Sequence, residues 1–292
     1  TPGYGASKTG AVHILTMNRD GTVGDITIIG GGKNGDPISN AFAAFGSSVT
    51  ALGDIDGDGV VDLAVGAPGD DTGGESQGAV YILFLNSDGQ AKRSTVINST
   101  NGGPLLSNFA FWGKAVAGIG DIDGDGVADL ATGFSGDRTD GPNRGAVHVI
   151  TLTSDGRVKG ITRIAHMTNG GPTLSDGDSF GAAVTSVGDL DGNGVGDLAV
   201  GAPGDDTGGS GRGAVHLLFF DSEGKVASTA KITDNTGPSL GLSNADGFGQ
   251  SLAGIGDLDG NGIGDLAVGA PGDDTGGNSR GSVRLLLLNA NG

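Results

Sequence analysis

The chain has 292 residues, a formal net charge of −18 and no cysteine. This acidity disfavours nucleic acid and anionic lipid surfaces as partners and favours cations, and the lack of cysteine excludes disulfides and thiol chemistry. Glycine is abundant, at 62 residues, but without a strict triplet period, so collagen is excluded. The longest apolar runs, such as 283–290, are too short to span a bilayer, and no membrane insertion is predicted.

In chain order, the first apolar runs are GAVHILTM at 10–17 and DITIIG at 25–30, and a repeated unit follows. The first Asp of an acidic motif stands at positions 54, 121, 189 and 257, which is a spacing of 67 or 68 residues. A Phe-Gly or Trp-Gly pair precedes each motif, and a proline-containing loop precedes each pair. The pairs are Phe45-Gly46, Trp112-Gly113, Phe180-Gly181 and Phe248-Gly249, and the prolines are Pro37, Pro104, Pro172 and Pro238. Self-similarity at a fixed period predicts a repeat architecture.

Each repeated unit is predicted to contain four short strands. In the first complete unit these are SSVTALG after the Phe-Gly pair, then DLAVGAP, AVYILFL and the short STVI. Short β-branched runs bounded by Gly, Asn and Asp indicate an all-β fold, and a four-stranded unit repeated radially is a β-propeller blade. A parallel β-helix is disfavoured because its period is much shorter. We predict one repeat domain over 1–292, made of a partial blade at 1–36, blades at 37–103, 104–171 and 172–237, and a blade lacking its last strand at 238–292.

The acidic motif has the form Asp-x-Asp-x-Asp-Gly-x-x-Asp, with Asn at the fifth position in the last two copies. A hard cation takes six to eight oxygen ligands, which a glycine-hinged loop supplies from side chains at positions 1, 3, 5 and 9 and from a main-chain carbonyl at position 7. The predicted ligands are Asp54, Asp56, Asp58, Val60 and Asp62; Asp121, Asp123, Asp125, Val127 and Asp129; Asp189, Asp191, Asn193, Val195 and Asp197; and Asp257, Asp259, Asn261, Ile263 and Asp265. The alternative is a set of solvated acidic turns.

About four Ca²⁺ ions are predicted as cofactors. Soft metals are disfavoured because the motif offers no thiolate and no histidine, and Mg²⁺ prefers a tighter shell that retains water. The last two loops carry one negative charge fewer, so we expect them to bind calcium more weakly than the first two.

Three landmarks together, Phe45-Gly46, the acidic loop and Gly66-Ala67-Pro68, resemble the FG-GAP repeat of the N-terminal β-propeller of integrin α-subunits. The second unit departs from this pattern with Trp112 and with Gly133-Phe134-Ser135. The resemblance implies a propeller and calcium. Counting gives seventeen strands over five blade positions, one more than a four-bladed ring needs. The chain is then part of a longer array of about seven blades, as the resemblance suggests, or a ring of five with one incomplete blade, or an assembly completed by oligomerisation.

The resemblance further implies a binding or adhesion module of a cell-surface or secreted protein, with a protein or glycan ligand at the propeller surface and an extracellular location. The alternatives are a carbohydrate-binding (lectin) or polysaccharide-lyase-associated propeller and a structural spacer. No nucleophile or phosphate-loop motif is present, so no catalytic residue is assigned and the chain is not expected to be an enzyme.

Three weaker patterns remain. An acidic pair recurs at Asp70-Asp71, Asp205-Asp206 and Asp273-Asp274, as a connecting turn or as a ligand or cation site. One third-strand position holds His13, Tyr81, His148, His216 and Arg284, which we interpret as blade-surface residues. Asn98-Ser99-Thr100 is a single glycosylation sequon.

Overall fold

The computed structural model describes residues 9–38, 41–236 and 239–290; the loop landmark Pro238 lies outside them. By its internal contacts the chain divides into two compact units, residues 1–116 with 152–161 and residues 117–151 with 162–292. Over the described ranges, no helix has the length and apolar character needed to cross a bilayer.

Seventeen strands are present in the described residues, the number predicted from the repeats. The two-stranded first sheet contains β1 (Ala11–Met17) and β2 (Val23–Gly30). The second contains β3 (Ser48–Gly53), β4 (Asp62–Ala67), β5 (Ala79–Leu85) and β6 (Ala91–Ile97). The third contains β7 (Ala115–Gly120), β8 (Asp129–Phe134), β9 (Ala146–Leu152) and β10 (Val158–Ala165). The fourth contains β11 (Val184–Gly188), β12 (Asp197–Ala202), β13 (Ala214–Phe220) and β14 (Val226–Ile232). The fifth contains β15 (Ser251–Gly256), β16 (Asp265–Ala270) and β17 (Ser282–Leu286).

Within every sheet the strands follow one another in chain order, as in the antiparallel blades of a β-propeller. The middle strands are buried on both faces, which is why β5 and β13 are continuous apolar runs rather than alternating ones. The fourth strands are longer than predicted: β6 begins at Ala91 rather than at Ser94. Its first half is polar because it is an exposed edge strand, and this hid it from a search for apolar runs.

The Phe-Gly pair and the Gly-Ala-Pro segment of one repeat are hydrogen-bonded to each other. The Gly46 N–H donates to the Gly66 carbonyl at 3.0 Å, and Gly181 donates in the same way to Gly201 at 3.0 Å. The Phe-Gly pair and the Gly-Ala-Pro segment are therefore the two partners of one backbone hydrogen bond. This bond holds the start of the first strand against the end of the second.

Each Phe-Gly pair also contacts the repeat before it. Trp112 lies beside Gly78, its N–H donating to the Gln77 carbonyl at 2.9 Å. Gly78 has φ +87°, and a Cβ there would stand 2.1 Å from the Trp112 carbonyl oxygen, so only glycine fits. The same bridge recurs at Gly10–Phe45, Gly145–Phe180 and Gly213–Phe248.

The aromatic ring of the Phe-Gly pair packs on the third strand of its own repeat. Phe45 meets Tyr81 edge-on at 5.8 Å between ring centroids, and Phe180 meets His216 edge-on at 5.4 Å. The blade-surface interpretation of this third-strand position is therefore wrong for Tyr81, His148 and His216, which are buried, and right for the exposed His13. Arg284 is half-buried. Trp112 is fully buried, as expected for a packing residue.

The last strand differs from its counterparts in burial. β17 alternates, with Val283 67% and Leu285 59% exposed, whereas the corresponding strand β13 is buried throughout. One apolar face of β17 is thus uncovered among the described residues.

Candidate metal centres

The four acidic loops connect the first and second strands of the four larger sheets, and each is organised around the Asp at position 1. Asp54 Oδ1 accepts the N–H groups of Gly57 and Asp58 at 2.8 and 2.9 Å, and its Oδ2 accepts that of Gly59 at 2.7 Å. The same three bonds converge on Asp121, Asp189 and Asp257. Each loop is therefore curled around a carboxylate whose oxygens retain further lone pairs.

The Asp at position 9 is a buried clamp between the loop and the third strand. Asp197 Oδ2 accepts the Leu190 N–H at 2.8 Å, and its Oδ1 accepts the Phe220 N–H at 3.0 Å. Asp62 does the same with Ile55 and Leu85, and Asp265 with Leu258 and Leu288. The position-9 Asp is thus the first residue of the second strand, and its carboxylate also fixes the end of the third strand. The motif spacing alone did not reveal this second role.

The structure brings three carboxylates together in each loop, with ligand atoms within 4.8 Å of one another. In the last three loops the carboxylates belong to positions 1, 3 and 9: Asp121, Asp123 and Asp129; Asp189, Asp191 and Asp197; Asp257, Asp259 and Asp265. In the first loop they belong to positions 1, 3 and 5, namely Asp54, Asp56 and Asp58. Asp62 and Asp125 are predicted ligands outside these groups.

The residues at positions 5 and 7 are linked by a short turn. The side-chain oxygen at position 5 accepts the N–H of the residue at position 7, from Val60 to Asp58 at 2.9 Å and from Val195 to Asn193 at 2.7 Å. Val127 and Ile263 donate in the same way to Asp125 and Asn261. This bond uses the N–H of the position-7 residue and not its carbonyl group, which is the group that the sequence predicts as a ligand.

The residues of the loops fit a hard divalent cation. Asp56 Oδ1 is buried and has no hydrogen-bond partner, so it is an acceptor that a cation would satisfy. Burial raises the pKa of Asp62 and Asp197, and neighbouring carboxylates add to the rise. A positive ion would remove both penalties. The donor set contains only oxygen, which suits Ca²⁺ better than a soft metal.

Two basic side chains that sequence reasoning missed contact the first loop. The Lys92 ammonium pairs with Asp58 and, at 3.0 Å, with Asp56, and Arg93 reaches Asp56 Oδ2 at 3.2 Å. The hydrogen bond from Lys92 lowers the pKa of Asp58. The sequence does distinguish these two residues, because Lys92-Arg93 is the only pair of adjacent Lys or Arg residues in the chain.

The second acidic motif is a connecting turn whose first Asp is buried and paired inside its own repeat. Asp70 accepts the Tyr81 hydroxyl at 2.6 Å, and Asp205 pairs with Lys231 at 2.5 Å. Asp137 pairs with Arg163 at 2.7 Å and Asp273 with Arg284 at 2.6 Å. These contacts favour the turn interpretation over a ligand or cation site.

The sequon asparagine is also committed to the fold. Asn98 is fully buried, and its side-chain nitrogen donates to Thr72 Oγ1 at 2.7 Å. Its side-chain oxygen accepts the N–H groups of Thr100 and Asn101 at 3.0 Å. The folded chain therefore does not offer this asparagine for glycosylation.

The FG-GAP repeat family model matches residues 45–83, 112–150, 180–218 and 248–286, together just over half of the chain. The chain belongs to the FG-GAP repeat family. Each match begins at the Phe or Trp of the Phe-Gly pair, contains the acidic loop and ends in the third strand. The family assignment made from sequence, and with it the β-propeller fold class, is confirmed.

Among curated proteins this FG-GAP chain is similar to integrin α-subunits. It is 32% identical over 238 residues to integrin alpha-PS2 of Drosophila melanogaster, covering 76% of this chain and 15% of that protein. Integrin alpha-4 of Xenopus laevis is 34% identical over 199 residues, covering 67% of this chain and 17% of that protein. Integrin alpha pat-2 of Caenorhabditis elegans is 32% identical over 229 residues, covering 76% and 17%. The chain thus spans about a sixth of the length of these relatives.

Proposed function

We propose that the four acidic loops bind Ca²⁺, about four ions in all, and that the ions stabilise the blades. The observation that supports this most directly is the convergence of three carboxylates in every loop. In the third loop they include the buried Asp197, which ties the loop to the third strand. Without a counter-ion, this density of like charge repels itself. The residues that would hold the ions are the position-1, -3, -5 and -9 side chains, with the carbonyl groups of Val60, Val127, Val195 and Ile263 as further oxygen donors.

Differential scanning calorimetry tests this proposal. A ligand that binds only the folded state at a hundredfold its dissociation constant stabilises by about 2.7 kcal/mol per site. We expect the melting temperature to rise strongly between EDTA and millimolar Ca²⁺, with Mg²⁺ less effective. Isothermal titration should count about four ions. An unchanged melting temperature contradicts a structural role for calcium.

We propose further that the chain is an extracellular binding module for adhesion, at a cell surface or in a secreted protein. Its similarity to integrin α-subunits supports this, and so does the millimolar calcium found outside cells, which suits loops of modest affinity. On this proposal, the chain is not an enzyme.

The loops that lead into the first two Phe-Gly or Trp-Gly pairs are candidates for the contact surface. Phe42 is 66% exposed, and Phe109 and Phe111 are 57% and 46% exposed. All three have positive φ, which is unfavourable for a bulky side chain. The Phe109 and Phe111 backbones are held by hydrogen bonds to Glu75 and Ser76. Exposed aromatic rings on an ordered, strained backbone are typical of a protein-binding surface.

Binding to immobilised extracellular-matrix proteins, read beside a glycan array and a polysaccharide-lyase assay, separates the possible functions. The adhesion proposal expects protein binding that Phe109→Ser with Phe111→Ser abolishes, with no turnover of polysaccharide. Glycan binding without turnover instead indicates a lectin, turnover indicates a lyase, and no binding of any kind indicates a spacer.

A further inference from the structure

We propose that Lys92 is a tethered counter-ion that competes with Ca²⁺ at the first acidic loop, so that this loop binds calcium more weakly than the third. The inference rests on the proposed calcium binding and concerns the order in which the loops fill. It reverses the order expected from charge, since the first loop has four Asp residues and the third has three and an Asn.

The contacts of Lys92 place a full positive charge on the carboxylates that a metal ion would use. Its ammonium pairs with Asp58 and, at 3.0 Å, with Asp56 Oδ2. Two of the three carboxylates that converge in this loop are thereby engaged. The second basic partner, Arg93, reaches the same Asp56 oxygen at 3.2 Å and lies over the Phe84 ring, 3.2 Å from its centroid.

β6 positions these side chains. In the ladder between β5 and β6, Phe84 pairs with Arg93, so Lys92 falls within a bulge next to the end of β5. This end of β5 is where Asp62 accepts the Leu85 N–H. Lys92 therefore extends from the strand beside the loop, and a cation entering the loop must either displace its ammonium or tolerate its repulsion.

The third loop has no such neighbour. In the corresponding ladder, Phe219 pairs with Ser228 and Phe220 with Val226, so Ala227 stands where the first repeat has Lys92. Among the described residues, no Lys or Arg pairs with Asp189, Asp191 or Asp197. Within the part of the chain that the structure describes, no basic side chain therefore offsets the carboxylate charge of the third loop.

The order of filling can be read at single loops by NMR. The Gly59 and Gly194 amides donate to the position-1 Asp of the first and third loops, at 2.7 and 2.8 Å, and report on each loop separately. The full chain, stripped with EDTA, is titrated with CaCl₂ as wild type and as Lys92→Met, Lys92→Arg and Lys225→Met. Lys225 is a matched control, because it lies in an exposed pair with Glu223 and its loss changes the net charge equally.

We expect the calcium concentration at the Gly194 midpoint of the wild type to be about tenfold below that at the Gly59 midpoint. This factor corresponds to the free energy of displacing one ion pair at the first loop, together with the repulsion that remains after displacement. Lys92→Met should lower the Gly59 midpoint by about the same factor, and Lys92→Arg and Lys225→Met should leave it in place. Calorimetry gives a second readout: in EDTA, Lys92→Met should melt below the wild type, and calcium should remove the difference.

A Gly59 midpoint that is equal to or below that of Gly194 in the wild type overturns the inference, as does a Gly59 midpoint that Lys92→Met does not move. These failures leave calcium binding itself intact, because Gly194 still titrates. If neither amide responds to calcium, the proposed calcium binding fails and the inference fails with it.

Discussion

Asp197 is the most informative single residue to remove, because it belongs both to the predicted calcium loop and to the strand framework. Its carboxylate is fully buried and accepts two backbone N–H groups, from Leu190 at 2.8 Å and from Phe220 at 3.0 Å. Asp197→Ala leaves both donors buried without a partner. Each unsatisfied group costs about 1–3 kcal/mol, so the two together cost about 2–6 kcal/mol.

The loss of unfolding free energy in Asp197→Ala should be smaller in EDTA than in calcium. Without metal, burial and the nearby Asp191 and Asp189 charges raise the pKa of Asp197, which means that its charge is disfavoured in the folded chain. Its removal then relieves some repulsion and offsets part of the lost hydrogen bonding. In calcium that repulsion is neutralised, and the variant also loses a ligand.

Urea unfolding of the wild type and Asp197→Ala, each in EDTA and in saturating calcium, measures both effects. Asp221→Ala is the matched control, since Asp221 also accepts two backbone N–H groups but in an exposed turn, where water replaces it. The reasoning is refuted if Asp197→Ala costs no more than the control in EDTA. It is refuted in its calcium part if the two losses measured for Asp197→Ala are equal.

Three further predictions concern the framework. Burial lowers the pKa of His216 from 6.5 to about 4, so between these values the unfolded chain takes up a proton that the folded chain does not. The contribution of His216 to stability is therefore complete above pH 6.5 and falls by about 3 kcal/mol towards pH 4. His216→Phe should remove this part of the fall in urea midpoints measured at pH 7 and 4.5, and should leave the part that comes from the similarly buried His148. Tyr81→Phe removes the hydroxyl that donates to the buried Asp70 and should lower the unfolding free energy by about 1–2 kcal/mol, with an unchanged value contradicting the contact. Gly201→Ala would place a Cβ 1.9 Å from the Gly249 carbonyl oxygen. We expect calorimetry to show a loss of unfolding free energy of about 3 kcal/mol or more. An unchanged value would mean that the two sheets can move apart at this point.

The fold was predictable because the repeat presents the same signals four times. β5 coincides with the apolar run AVYILFL, and β4 starts at the position-9 Asp, as the motif suggested. The polar half of β6 was missed, because an exposed edge strand carries no apolar pattern. His216 was misjudged for a related reason: it packs against the ring of Phe180, which stands 36 residues earlier in the same repeat.

The convergence of carboxylates in each loop was predictable from the spacing, but the separate structural roles of those carboxylates were not. The spacing predicted only a ligand role for Asp62, and the structure adds a second one, because both of its oxygens accept backbone N–H groups, from Ile55 and Leu85. The spacing also ranked the first loop above the third by counting charges within each loop. Lys92 lies 34 residues beyond Asp58, and only the pairing of the strands brings the two together.

The bridge between the glycine that precedes a third strand and the next Phe-Gly or Trp-Gly pair, seen at Gly78–Trp112 and Gly213–Phe248, has a consequence for how such a chain can grow. Each repeat carries one partner of this bridge before its first strand and the other directly before its third strand, in the same backbone geometry. A gene segment encoding about 68 residues can therefore be copied or deleted in frame without leaving a mismatched junction. The number of repeats can then change without changing the stability of any single blade. Each copied or deleted repeat adds or removes one acidic loop.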